Sequence, residues 1–115
     1  MNLEKKVFKF PIEVINIIQG LDHPDRRWIL EVIINSGKGE LTFEEIRKKT
    51  GYTLDTVNIH LNHMSMYGLL DRYENIDNLS KNIEVVRYQL SPLTRCFINK
   101  LIAISASEHR IVCKA

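Results

Sequence analysis

The sequence of 115 residues predicts a mainly α-helical domain with a small β-hairpin. Thr42 and Glu45 have the spacing of a capping box, with a hydroxyl at the helix N-cap and a carboxylate three residues later. Gly51 can end this helix in a left-handed conformation, and Thr53 can cap a second helix. Two strand-like runs follow, at residues 69–74 and 83–90. This order is that of a winged helix-turn-helix, whose second helix usually lies in the DNA major groove.

Two further helices are predicted before the central motif. The first reads FPIEVINIIQG, with Pro11 at the first helical position and Gly20 at the C-cap, and it is apolar on nearly every side. The second begins near Pro24. Its predicted inner stripe consists of Trp28, Ile29, Val32 and Ile33. Residues 40–42 then form a short extended segment that can pair with the hairpin.

The last predicted helix has Ser91 as its N-cap and runs from Pro92 to residue 112. The first and last helices both carry more apolar surface than one small core absorbs, which favours homodimerisation through them. The predicted interface residues are Ile12, Ile15, Ile18, Phe97, Leu101 and Ile104. The alternative is that the two helices pack on each other within one monomer. We expect a single domain made of a dimerisation arm (1–20), a core (21–91) and a dimerisation helix (92–115).

The chain shows no sign of export or of membrane insertion. No apolar run reaches the roughly 18 residues that a membrane span needs, and the first twenty residues lack a signal-peptide layout. Cys96 and Cys113 lie in the same predicted helix, about 25 Å apart, and cannot form a disulfide within one chain. We therefore expect a cytoplasmic protein with reduced cysteines.

The net charge of +2 is unevenly distributed along the chain. Residues 1–20 carry a net charge of +1, and residues 92–115 carry +3. The core at 21–91 has nine basic and eleven acidic residues, a net charge of −2. A DNA-binding module usually concentrates positive charge where it meets phosphate. The charge distribution therefore disfavours DNA binding by the core.

Three segments carry a family resemblance. LDHPDRRWILEVI is similar to an opening signature, TGYTLDTVNIHLNHMSMYGLL to a recognition segment that keeps the Val-x-x-His-Leu spacing, and RYQLS to the end of a wing. In this order they resemble the ArsR-type winged-helix transcriptional regulators, which share their architecture with the MarR type. The matching positions are Leu21, Pro24, Arg26, Arg27, Ile29, Leu30, Gly51, Thr56, Val57, His60, Leu61, Gly68, Leu69, Tyr88 and Leu90.

The resemblance implies a homodimeric repressor or activator that binds double-stranded DNA and places helix 53–68 in the major groove. On that helix, the residues predicted to face bases are Thr56, Asn58 and Asn62, since asparagine can bind an adenine edge bidentately. The residues predicted to contact phosphates are Arg26, Arg47, Lys48, Lys49, Thr53, His63 and Lys81.

Each of these assignments has a structural alternative. The cations at 47–49 can complement the C-terminal dipole of their own helix. Arg26 can form a salt bridge with Asp22, Asp25 or Glu31. The wing can be a plain solvated hairpin, and His60 is expected to be a half-buried scaffold residue.

The sequence also allows a different class of function, in which the winged helix binds a protein partner instead of DNA. The acidic core favours it, and so does the outward helix face, which carries Leu54 and Ile59 and has no Lys or Arg between residues 53 and 70. A protein partner would then bind through Leu54 and Ile59.

Metal sensing and catalysis are not expected. The helix before the recognition segment reads FEEIRKKT and lacks the paired cysteines of the metal-sensing members. His109 and Cys113 are weak metal-ligand candidates, because they share one helix face without a second pair. The sequence has no glycine-rich phosphate loop and no nucleophile with a placed base. We therefore predict no enzyme activity, no cofactor and no metal.

Overall fold

The computed structural model describes residues 7–78 and 83–114, with side chains for residues 7–74 and 85–106. Five helices and three strands lie in these ranges. In chain order they are α1 (Ile12–Leu21), α2 (Pro24–Asn35), β1 (Glu40–Thr42), α3 (Phe43–Thr50), α4 (Leu54–Met66), β2 (Leu70–Asn78), β3 (Ile83–Leu90) and α5 (Pro92–Lys114). The predicted mainly α-helical architecture with a hairpin is confirmed.

The three strands form one antiparallel sheet in the order β1-β3-β2. Leu41 pairs with Tyr88, and Leu70 pairs with Leu90. All four side chains are buried, so the sheet register places apolar residues of every strand on the core side. The short segment before α3 therefore joins the hairpin, as its sequence predicted.

The start of α3 is fixed by the predicted capping box. Thr42 Oγ1 accepts a hydrogen bond from the Glu45 backbone N–H at 3.2 Å, and the Glu45 carboxylate accepts one from the Thr42 N–H at 2.9 Å. The hydrogen bond from Thr42 lowers the pKa of Glu45, and the Lys38 ammonium lowers it further. Gly51 ends α3 with a left-handed φ of 76°, which glycine adopts without a Cβ penalty.

The core lies between α2, α3, α4 and the sheet, and one residue of α1 joins it. It comprises Ile17, Ile29, Leu30, Val32, Ile33, Leu41, Ile46, Val57, Leu61, Met64, Leu69, Leu70, Tyr88 and Leu90. Because α3 and α4 both contribute to this cluster, their relative orientation is set by close packing.

Three predictions about individual residues were wrong. Trp28 is 39% exposed, and its indole Nε1–H donates to the Thr50 carbonyl at 3.3 Å. Leu30, and not Trp28, is the buried residue of α2 that completes its inner stripe. Gly20 is not a C-cap but lies buried inside α1, in contact with the Leu69 side chain. Pro11 is the N-cap of α1, one residue before its expected place. Helical periodicity predicts a face, but it does not show how wide a stripe the neighbouring elements cover.

The terminal helices leave much apolar surface uncovered within one chain. In α5 the first turns meet the core through Thr94, Phe97 and Ile98, whereas residues 101–106 are all exposed. Of the six predicted interface residues, four are exposed by 45–62%: Ile12, Ile18, Leu101 and Ile104. Ile15 and Phe97 are half-buried. A cleft of about 420 Å³ separates the end of α1 from Phe97 and Leu101.

None of the helices in the described ranges is long and apolar enough to cross a membrane.

Candidate nucleic-acid interface

The turn between α3 and α4 is fastened to α2 at two points. The Trp28 indole donates to the Thr50 carbonyl at the end of α3, and the Tyr52 hydroxyl donates to Asp25 Oδ1 at 2.8 Å. Thr53 then caps α4, with its Oγ1 accepting from the Thr56 N–H at 3.3 Å. These contacts fix where α4 begins and in which direction it projects.

The outward face of α4 mixes amide, acidic and apolar side chains. The exposed residues of this face are Leu54, Asp55, Asn58, Ile59, Asn62, His63 and Met66. The inward residues, all buried, are Val57, His60, Leu61 and Met64. Seven exposed positions on 13 residues leave one long side of the helix open to a partner.

Asn58 and Asn62 lie one helical turn apart on this open side, and both side chains are exposed. Each amide carries a donor and an acceptor, the pair needed to bind the N7 and N6 edge of adenine. Thr56 is half-buried, and its hydroxyl accepts from the Thr53 hydroxyl at 2.9 Å. The Thr56 side chain therefore belongs to the helix cap, and a base contact from it stays a prediction.

The cations at the end of α3 differ in whether they already form an ion pair within the chain. Arg47 pairs with Glu44 at 3.1 Å across one helical turn. Lys48 and Lys49 are exposed and form no ion pair with any side chain in the ranges 7–74 and 85–106. Lys81, the cation expected at the wing tip, lies outside the described residues. Phosphate contacts by these groups are untested by the geometry and stay predictions.

Behind α4, a polar cluster that sequence analysis did not predict connects it to α2. His60 is buried, and its Nδ1 accepts from Arg26 Nε at 3.3 Å. His60 Nε2 lies 3.5 Å from Asp25 Oδ2, and the His23 and His60 rings meet edge to face at 4.7 Å. Arg26 is thus used as a brace for α4. His60 was expected to be a half-buried scaffold residue, and it is a buried one. Its partners lie 34 to 37 residues away in the sequence, so no local sequence pattern predicts them.

Two pKa values in this region are shifted by burial. Burial lowers the pKa of the His60 imidazole, and the nearby His23 ring and Arg26 guanidinium lower it further. His60 is therefore neutral at pH 7, and its contact with Asp25 is not an ion pair. Burial also raises the pKa of Tyr52 to about 12, helped by its hydrogen bond to Asp25. Both groups are held in their neutral, hydrogen-bonding forms.

The ligand atoms of His23, Asp25 and His60 lie within 4.8 Å of one another, a spacing that raises the question of a metal site. However, the Nδ1 of each histidine accepts a hydrogen bond, from the Asp25 N–H and from Arg26 Nε. In a neutral imidazole the proton then sits on Nε2, where a metal would have to bind. The adjacent guanidinium also repels a cation. We assign the cluster to bracing α4. The side chains of His109 and Cys113 lie outside the described part of the chain.

The base of the wing carries charges that are largely paired with each other. Arg72 lies 3.4 Å from Glu74 on β2, and Arg87 lies 4.0 Å from Glu40 on β1. The sheet therefore presents little free positive charge at its base.

Several solved structures with a similar fold are transcriptional regulators. BigR, a transcriptional repressor from Xylella fastidiosa, matches over 80% of this chain and 85% of its own, with 22% identity and a TM-score of 0.60. The homodimeric winged helix-turn-helix domain of Mb0332 from Mycobacterium bovis covers 84% and 81%, with 22% identity and a TM-score of 0.62. A MarR-family regulator from Enterococcus faecalis covers 96% of both chains, with 16% identity and a TM-score of 0.67.

The fold is a winged helix-turn-helix. In this winged helix, α3 and α4 are the two helices of the motif, and β2 and β3 form the wing. No protein-family model and no curated protein sequence matches the chain. At sequence identities of 16–22% and TM-scores of 0.60–0.67, the structural likeness to these regulators shows a shared fold. The sequence resemblance to the ArsR type agrees with this result, since the architecture is that of ArsR and MarR regulators.

Proposed function

We propose that this winged helix is a non-enzymatic, DNA-binding transcriptional regulator that acts as a homodimer and places α4 in the major groove. The observation that carries the proposal is the open side of α4, where Asn58 and Asn62 project from a helix held rigidly from behind. BigR is a transcriptional repressor, and the Mb0332 domain is a homodimeric DNA-binding domain, which supports the same use of the fold here.

Phosphate binding in this proposal depends on few groups. Lys48 and Lys49 project from the end of α3, which precedes the recognition helix, and Thr53 and His63 are exposed at either side of α4. Each neutralised phosphate contributes about −0.9 to the slope of log affinity against log salt. Of these four residues, Lys48 and Lys49 are the cations that can neutralise a phosphate, so with about two such contacts per protomer we expect a shallow salt dependence and weak binding to random DNA.

Homodimerisation in this proposal uses the apolar faces of α1 and α5. Val7, Phe8 and Phe10 precede α1 and are 61–76% exposed, and so they add to the apolar surface that the terminal segments leave uncovered. Large apolar side chains exposed in this number indicate an interaction site. A two-fold dimer would present two copies of α4 to one side of a duplex, and so we expect an operator with inverted half-sites about one helical turn apart.

Selection from a random duplex library tests the proposal. The full chain is incubated with duplexes carrying a long randomised segment, and bound DNA is recovered and sequenced over several rounds. We expect enrichment of an inverted repeat. Recovery of unchanged random sequence through all rounds would contradict the proposal and would favour the protein-binding alternative, in which Leu54 and Ile59 contact a protein partner.

A further inference from the structure

The outward face of α4 has a composition that bears on which base pairs it can bind. Leu54 and Ile59 are 55% and 56% exposed, and they lie on the two flanks of the Asn58 and Asn62 stripe. We infer that the half-site bound by α4 is rich in A·T pairs, with the two asparagines on adenine edges and the two apolar side chains against thymine methyls. This inference rests on the proposed function, because it concerns the sequence preference of the same helix.

Guanine is disfavoured by the charges on this helix. Guanine presents two acceptors in the major groove, and its commonest protein partner is the bidentate fork of Arg or the ammonium of Lys. Residues 53–70 contain neither. Asp55, exposed in the first turn, offers only acceptors, which guanine O6 and N7 repel. Asp55 fits an exocyclic amine, from adenine N6 or cytosine N4.

Adenine fits the asparagine amides because its edge alternates one acceptor and one donor. Asn58 and Asn62 are separated by one turn, or about 6 Å along the axis. From Leu54 to Asn62 the helix rises about 12 Å, the length of roughly three to four base pairs. The two amides can therefore bind separate adenines within one half-site.

The thymine methyl group is the only apolar atom group that a base edge exposes in the major groove. Leu54 and Ile59 are large apolar side chains on the exposed face of α4, as is Met66 in its last turn, and such side chains are costly to leave in water. Leu54 precedes Asn58 by one turn, and Ile59 precedes Asn62 by three residues, so each apolar side chain neighbours an amide. An adenine bound by one amide and a thymine methyl beside it form a single A·T-rich footprint.

Replacement of thymine by uracil in the selected duplex tests this directly, because uracil lacks only the methyl group. For the wild type we expect each contacted methyl to contribute about fourfold in affinity, as for one buried methyl group. For Ile59→Ala or Leu54→Ala, the uracil effect at the corresponding base should disappear. Lys49→Ala is the matched control, since it should weaken binding to both duplexes and keep the uracil effect. Circular dichroism melts confirm that each variant is folded.

The outcomes separate the inference from the proposed function. Absence of DNA binding overturns both. Tight, selective binding to a G·C-rich half-site, or an A·T-rich site with no uracil effect, overturns the inference and leaves the regulator proposal standing. An unchanged uracil effect in both alanine variants also overturns it and leaves Leu54 and Ile59 as a protein-binding pair.

Discussion

The hydroxyl of Tyr52 lies 2.8 Å from Oδ1 of Asp25, and this hydrogen bond joins the turn of the helix-turn-helix to the start of α2. The other oxygen of Asp25 faces His60, on the buried side of α4. One carboxylate thus contacts both a residue of the turn before α4 and a residue in the middle of α4. The orientation of α4 therefore depends on Asp25 as well as on the apolar core.

Tyr52→Phe should destabilise the protein by about 1–2 kcal/mol, because it removes a hydrogen bond to a carboxylate at a half-buried position. The free energy of unfolding from urea titration measures this. Tyr67→Phe is the control, since Tyr67 is exposed and its hydroxyl bonds to no residue in the described ranges. Equal stabilities for Tyr52→Phe and the wild type would show that this bond does not hold the turn.

The sequence predicted the local features of the fold and missed the long-range polar ones. Thr42, Glu45 and Gly51 lie within three to nine residues of one another, so their spacing is enough to predict the capping box and the turn. The Asp25–Tyr52 bond joins residues 27 apart in the chain, and the Arg26–His60 bond joins residues 34 apart. Such pairs follow from tertiary packing, and no periodicity in a single sequence reports them.

The stability of the protein should fall as the pH is lowered through the range in which histidine titrates. Folding lowers the pKa of His60 below its ordinary value of about 6.5, so the unfolded state binds more protons between these two values. The contribution of neutral His60 to the free energy of unfolding is complete above about pH 7 and is lost as the pH is lowered further. Thermal unfolding midpoints between pH 5 and pH 8 measure the slope. The charged and titratable groups that face His60 are Asp25, His23 and Arg26, and none of them is substituted in this measurement.

His60→Gln should flatten this pH dependence, because glutamine cannot take up a proton. His63→Gln is the matched control, since His63 lies three residues further along the same helix and is exposed. A wild-type slope that persists in His60→Gln would assign the acid sensitivity to another group.

The Ile18→Glu, Leu101→Glu double variant should be monomeric. Both residues border the cleft between α1 and α5 and are 47% and 45% exposed in one chain, so a glutamate at either place would be buried without a partner in a dimer. Light scattering should show the mass falling from twice 13.4 kDa to 13.4 kDa. Met66→Glu places the same charge on α4 and should leave the dimer intact. A monomeric wild type would contradict the proposed assembly.

Substitutions at Lys49 and Asn58 should weaken DNA binding in different ways. Lys49→Ala removes a phosphate contact, so it should reduce affinity for every duplex similarly and lower the salt slope by about 1 per contact. Asn58→Ala should cost about 1–3 kcal/mol on the selected site and little on random DNA. Competition binding with both duplexes separates the two effects. Equal losses on both duplexes for Asn58→Ala would argue against base reading by this residue.

Fluorescence anisotropy with a random duplex, at a low and a high salt concentration, tests the central claim that this winged helix binds DNA. We expect weak binding at low salt that falls at high salt, with a slope that reflects the few cations near α4. The core at residues 21–91 has a net charge of −2, which repels the DNA phosphates and opposes this binding. An absence of binding at low salt, with the wild-type dimer at micromolar concentration, would contradict the claim.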